Sequence, residues 1–123
     1  MTIRRHPVAV TVDASGDATV YSPFISGELC SISYVKTDFA NGVDFTITVE
    51  GTGQGLWTES NVDAAATRMP RAATHSTAGV AALYAGAGTA VNGKIAIARD
   101  RVKIVVAAGG VSKSGAFHIV VDG

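Results

Sequence analysis

Few residues in this chain have the type and spacing that chemistry requires. The three histidines, His6, His75 and His118, stand far apart, and none has a second histidine two or four positions away. No Cys-x-x-Cys or His-Glu-x-x-His occurs, so no metal site and no cofactor is expected. Ser33-Tyr34-Val35-Lys36 spells Ser-x-x-Lys, whose chemistry needs both side chains on one helical face. The surrounding pattern is that of a strand, where positions three apart point to opposite faces, so the pair carries no catalytic weight. Gly-x-Ser-x-Gly is absent. The glycines between Gly51 and Gly55 lack the Lys-Ser/Thr and the following helix of a phosphate loop. Asp44 and Glu50 would lie about 20 Å apart along a strand, too far for paired acid–base work. A solvated face accounts for them better. No catalytic residue is expected, and the chain reads as a non-enzyme.

What remains suits contact rather than reaction. Arg68 and Arg71 flank Met69-Pro70 in an otherwise uncharged region. They could clamp a carboxylate of a neighbouring subunit, or simply stand in solvent. His75 and Tyr84 share the same long segment, and Tyr84 and Trp57 are the candidates for an aromatic binding platform. His118 alternates with Phe117 and Ile119 and reads as a structural or interface histidine. Cys30 is the single cysteine, so an intramolecular disulfide is impossible. It is either a small buried hydrophobe or one half of an intermolecular disulfide in an oligomer.

These residues must be positioned by one domain, residues 1–123, long enough for one core without staples. The hydrophobic fraction is 47% and the charged fraction only 16%, against a usual ~25%. Either Thr, Ser, Ala and Gly keep the surface wet, or part of it is covered by a partner or by copies of the chain. Ten basic and ten acidic residues cancel, and no basic stripe could follow a phosphate backbone, so nucleic-acid binding is disfavoured. Arg4-Arg5-His6 is short and reads as a solvated tail. No apolar run approaches the ~20 residues of a membrane span, and the run from Val8 to Val12 is too short for a leader. The chain is expected to be made and folded in the cytoplasm.

The dominant period is two. Val8, Val10 and Val12 alternate with Ala9 and Thr11, a turn follows at residues 14–17, and residues 18–21 read as the returning strand of a hairpin. Residues 24–27 make a connection. In the third strand, residues 29–35, Cys30, Ile32 and Tyr34 share one face and Leu29, Ser31, Ser33 and Val35 the other. The fourth has the cleanest alternation, Phe45, Ile47 and Val49 inward against Asp44, Thr46, Thr48 and Glu50. Residues 56–59 make a short strand with the only tryptophan, and residues 61–63 a turn. Residues 64–92 hold most of the alanines and read as a long Ala/Gly-rich loop, with room for a strand or a helical turn. It is the natural place for a contact between subunits. Residues 94–98 form a strand before a turn at Arg99-Asp100. Residues 101–123 close the chain as a β-hairpin apolar on both faces, which needs cover on its second face. Eight or nine short strands with little helix predict an all-β fold, an antiparallel β-sandwich or barrel.

Several segments resemble small uncharacterised structural proteins of tailed bacteriophages and prophages. They are Asp44-Phe45-Thr46-Ile47-Thr48, Gly53-Gln54-Gly55-Leu56-Trp57, the run from Pro70 to Gly79, and Arg101-Val102-Lys103-Ile104-Val105-Val106 with Gly109-Gly110 and Ser114-Gly115. The resemblance extends over most of the chain. Members of this group are encoded among virion structural genes, near head and head–tail joining genes. The resemblance implies a virion location and partners among major capsid or neck proteins, and supplies no site residues; the low charge fraction predicts a homo-oligomer or dependence on such a partner. The expected function is a capsid decoration (cement) protein present in many copies, with a neck, collar or head–tail joining component as the alternative. A carbohydrate- or receptor-binding β-sandwich module is the alternative of another class.

Overall fold

The alternating sequence folds into ten strands, and the computed structural model describes residues 2–123. They are β1 (Ile3–Thr11), β2 (Ala18–Tyr21), β3 (Ile25–Lys36), β4 (Val43–Val49), β5 (Gly55–Val62), β6 (Ala66–Arg68), β7 (Arg71–Ala73), β8 (Asn92–Asp100), β9 (Val102–Ala107) and β10 (Ser114–Asp122). Every pairing is antiparallel. The larger sheet runs β1-β10-β3-β8-β7, with β6 also on β3, and the smaller runs β2-β9-β4-β5. The fold is the all-β sandwich expected. Among the described residues there is no helix, and residues 64–92 hold β6, β7 and two isolated bridges.

The inner faces follow the two-residue period. Val8 and Val10 of β1, Phe45, Ile47 and Val49 of β4, Val102, Ile104 and Val106 of β9, and Phe117, Ile119 and Val121 of β10 are all buried. An aromatic cluster ties the two layers. Tyr34 and Phe117 of the larger sheet lie 5.4 and 5.1 Å from Phe45 of the smaller, ring centre to ring centre. Phe45 meets Trp57 edge-on at 4.7 Å, and Phe39 stacks on Tyr34 at 6.1 Å.

Two expected hairpins are not hairpins. β1 pairs with β10 and β2 with β9, so residues 12–17 carry the chain from one sheet to the other. The closing pair behaves likewise: β9 lies between β2 and β4, and β10 between β1 and β3. Its connection, residues 108–113, is an arch across the core. Ala108, Gly110 and Ser112 take positive φ angles of 59°, 96° and 52°, which bend the chain out of the plane of either sheet. The arch is knitted to two other crossings. Gly109 N donates to Gly16 O and Ala40 N to Gly109 O, both at 3.0 Å.

The third strand also departs from its expected facing. In β3 the register against β10 slips, so that Val121 faces Leu29 and Val120 faces Ser31. Cys30 is the extra residue of a β-bulge, which reverses the alternation before it. Leu29 therefore joins Ile32 and Tyr34 in the core, and Cys30 is half-buried. β3 also starts at Ile25, where a connection was expected, and Val62 belongs to β5 rather than to a turn. Arg99 and Asp100 both lie in β8 rather than in a turn, and Arg99 takes a φ of 45° where the register against β3 shifts.

Two measurements check this packing. The Tyr34 hydroxyl is buried without a hydrogen-bond partner, and burial pushes its pKa up. Tyr34→Phe should therefore raise stability in urea unfolding, by about 1 kcal/mol. Gly27 has φ 139°, and a Cβ there would stand 2.6 Å from the carbonyl oxygen of Asp122. Gly27→Ala should lower the same free energy by about 2 kcal/mol or more.

Candidate functional site

The outer face of the larger sheet is built from rows that the register aligns. Arg5, Val120 and Ser31 form one row. Pro7, His118, Ser33 and Thr67 form the next, closed by a 2.9 Å hydrogen bond between the Ser33 and Thr67 hydroxyls. Ala9, Ala116 and Val35 form the third. The second and third rows carry no charged side chain. Pro7 and Ala9 are exposed, Val35 is 39% exposed, and Ala116, His118 and Val120 are half-buried. Val105, on the outer face of β9, is 36% exposed. The second faces of the closing strands thus look outward, uncovered by their own chain.

Beside this face an arm leaves the sheet. β8 pairs with β3 as far as Leu29, and β6 takes over from Ile32. Between them the bulge leaves two carbonyls without a neighbouring strand. Arg71 fills the gap, its guanidinium donating to the carbonyls of Pro70 at 2.8 Å, Cys30 at 3.3 Å and Leu29 at 3.5 Å. β7 and β8 continue outward as a ribbon. Ala82 N donates to Thr74 O and Val91 N to Ala82 O, so residues 80–84 lie between the ribbon's two sides. The bridges His75↔Ala81 and Leu83↔Ala90 complete it. Residues 72–93 contain no Asp, Glu, Lys or Arg. Val80 is 65%, Leu83 39% and Tyr84 75% exposed.

Arg68 has its carboxylate partner within its own chain. It grips Glu59 through two hydrogen bonds of 3.1 Å and lies 5.4 Å from the Trp57 ring centre. Glu59 also accepts the indole N–H at 2.9 Å. This set locks β6 onto β5, and it leaves Trp57 buried and unable to serve as a platform. His75 is exposed on the arm, and His118 sits at the centre of the sheet face, so the structure does not bring the two together. Cys30 Sγ lies 3.8 Å from the carbonyl of Glu28. Ser33 bonds Thr67 across the face, whereas Lys36 turns to Asn41 and to the carbonyl of Asp63.

The opposite end of the sandwich holds a cluster that the sequence did not reveal. Arg101 forms a forked pair with Glu50, at 2.6 and 2.9 Å, and stacks 4.0 Å above the Tyr21 ring centre. Phe24, 62% exposed, lies 5.4 Å from the same guanidinium. The nearby cavity of about 300 Å³ is lined by Arg4, His6, Phe24 and Ser26, among others. Asp44 caps the N–H of Asn61 at 2.8 Å. Asp44 of β4 and Glu50 just beyond it are therefore structural, each with its own partner.

No protein-family model and no curated protein matches this chain. No helix among the described residues is long and apolar enough to cross a membrane.

The Glu50–Arg101 pair has a pH signature. The hydrogen bond from Arg101 holds the Glu50 carboxyl below its usual range. Its stabilising contribution is therefore present above the ordinary glutamate pKa and is lost as pH falls through the lowered one. Glu50→Gln should reduce the drop in melting temperature between neutral and acid pH. Parallel melting curves for the two proteins would show that the pair has no such role.

Proposed function

We propose that this chain is a non-enzymatic structural protein of a tailed-phage virion, a decoration protein that binds the capsid surface in many copies. The reading is carried by one observation: a charge-free arm, residues 72–93, holds Val80, Leu83 and Tyr84 in water. Exposed apolar groups gathered on a projecting ribbon are poorly suited to a free monomer and well suited to a contact. The resemblance to phage structural proteins supports the same reading, as does a sandwich whose residues engage one another instead of converging on a reaction centre. A neck or collar position would use the arm equally well. A carbohydrate-binding role is less favoured, because Trp57 is buried and Tyr84 alone of the two candidate platforms is exposed.

Mass spectrometry of purified particles, from the phage or prophage whose genome encodes the chain, tests this reading. The protein is expected in the particles at high copy number, with localisation on intact particles separating capsid from neck. Its absence from them would overturn the proposal. Replacing Leu83 and Tyr84 with aspartate should abolish incorporation while leaving the melting temperature close to that of the unaltered chain, since neither side chain belongs to the core.

A further inference from the structure

We propose that Asn41 is a site of self-catalysed deamidation, in which Asp63 and Lys36 assist the attack of the Gly42 amide nitrogen on the Asn41 side chain. The inference is independent of the virion reading.

Three strand ends meet at this place. Lys36 closes β3, Asn41 and Gly42 lead into β4, and Asp63 follows β5. An Asn-Gly pair is open to this reaction because glycine places no Cβ beside the attacking nitrogen. The chain has two such pairs, Asn41-Gly42 and Asn92-Gly93, and the fold treats them differently.

At the first pair each reacting atom has a partner suited to the reaction. Gly42 N, the nucleophile, donates to Asp63 Oδ1 at 2.8 Å, a carboxylate placed to take its proton. Asn41 Oδ1, where negative charge develops, accepts from the Lys36 ammonium, which also donates to the carbonyl of Asp63 at 2.8 Å. An ammonium can only donate, so the Asn41 atom that it holds is the oxygen, and the amide nitrogen is the group left to depart. A cation at the developing oxyanion lowers the barrier. The pair lies in a turn, with Asn41 exposed and Gly42 at a φ of 85°. The Gly42 N–H is bonded to a side chain and is not part of a strand ladder.

Asn92 and Gly93 instead begin β8, opposite Ala73 and Ala72 of β7. The ladder holds their backbone extended and keeps the glycine nitrogen from turning onto the asparagine side chain.

The reaction needs no reagent but water. A bond forms between Gly42 N and Asn41 Cγ, and the bond from Cγ to the side-chain nitrogen breaks. The Gly42 proton passes to Asp63 and then to the departing nitrogen, which leaves as ammonia. Water opens the cyclic imide at either carbonyl and gives aspartate or isoaspartate at position 41. Acidic residues rise from ten to eleven against ten basic ones, so the neutral chain gains one negative charge. Isoaspartate also adds a methylene to the main chain at the entry to β4.

Peptide mapping by mass spectrometry tests this on the full chain, aged at neutral pH both folded and in guanidinium chloride. Ammonia lost and water gained leave a converted peptide about 1 Da heavier. In the folded chain Asn41 should convert about tenfold or more faster than Asn92, and faster than Asn41 itself in the unfolded chain. Unfolded, the two pairs should convert at similar rates. Lys36→Met and Asp63→Asn should each slow folded Asn41 by about tenfold, without raising the rate at Asn92. Asn92 is the control for folding, since a variant that only loosened the sandwich would speed it. The comparison of folded with unfolded parent needs no variant at all. Three results would overturn the proposal. They are an Asn41 that converts no faster folded than unfolded, variants that convert at the parental rate, and a lasting product that has lost ammonia and joins Lys36 to residue 41.

Discussion

Contact between Tyr34, Phe45 and Phe117 is what makes two sheets into one molecule. These rings come from β3, β4 and β10, so the cluster crosses the boundary between layers. Tilted and edge-on arrangements suit the ring quadrupoles and fill the space that aliphatic side chains leave. Everything outside depends on this centre. β3 and β10 are inner strands of the larger sheet, and their outward residues form the uncharged face. The unpartnered hydroxyl of Tyr34 is the cost of placing the largest of these rings where no polar group can reach it.

The arm owes its position to a defect in the sheet. The bulge at Cys30 turns Leu29 inward, and the neighbouring strand changes from β8 to β6 at the same place. Carbonyl groups freed there recruit Arg71, which fastens the base of the ribbon. Arg68 does the same for β6 through Glu59. The two arginines of Arg68-Met69-Pro70-Arg71 thus hold the arm to the body, and the stretch without charge lies further out.

Alternation made the inner face of β4 legible from sequence, residue by residue. The two arches were not legible, for a definite reason. Gly and Asp at residues 13–17, and Gly109-Gly110, announce that the chain reverses, but turn chemistry does not say in which plane. A reversal within a sheet makes a hairpin, and one across the core makes an arch. Only the long-range pairings distinguish them, and these depend on partners a hundred residues away. The bulge at Cys30 was hidden similarly, because Leu29 and Ile32 look out of phase until one residue is skipped. Residues 68 and 71 are bonded within the chain, residues 75 and 84 stand exposed on the arm, and residue 118 lies half-buried on the sheet face. The face around His118 was missed because its members come from β1, β3, β6 and β10.

The pairing of β1 with β10 has a consequence for how the chain is made. Thr11 and Ser114 face each other across 103 positions of sequence. Of the ten strands β1 is made before the others, and its neighbour β10 after them. Until that neighbour arrives, the inner side of β1 has no strand to complete it, and Val8 and Val10 have no finished core to enter. Contacts this distant make folding slow, because the entropy of a long loop must be overcome first. The nascent chain therefore carries Val8 and Val10 without their finished core until β10 is made.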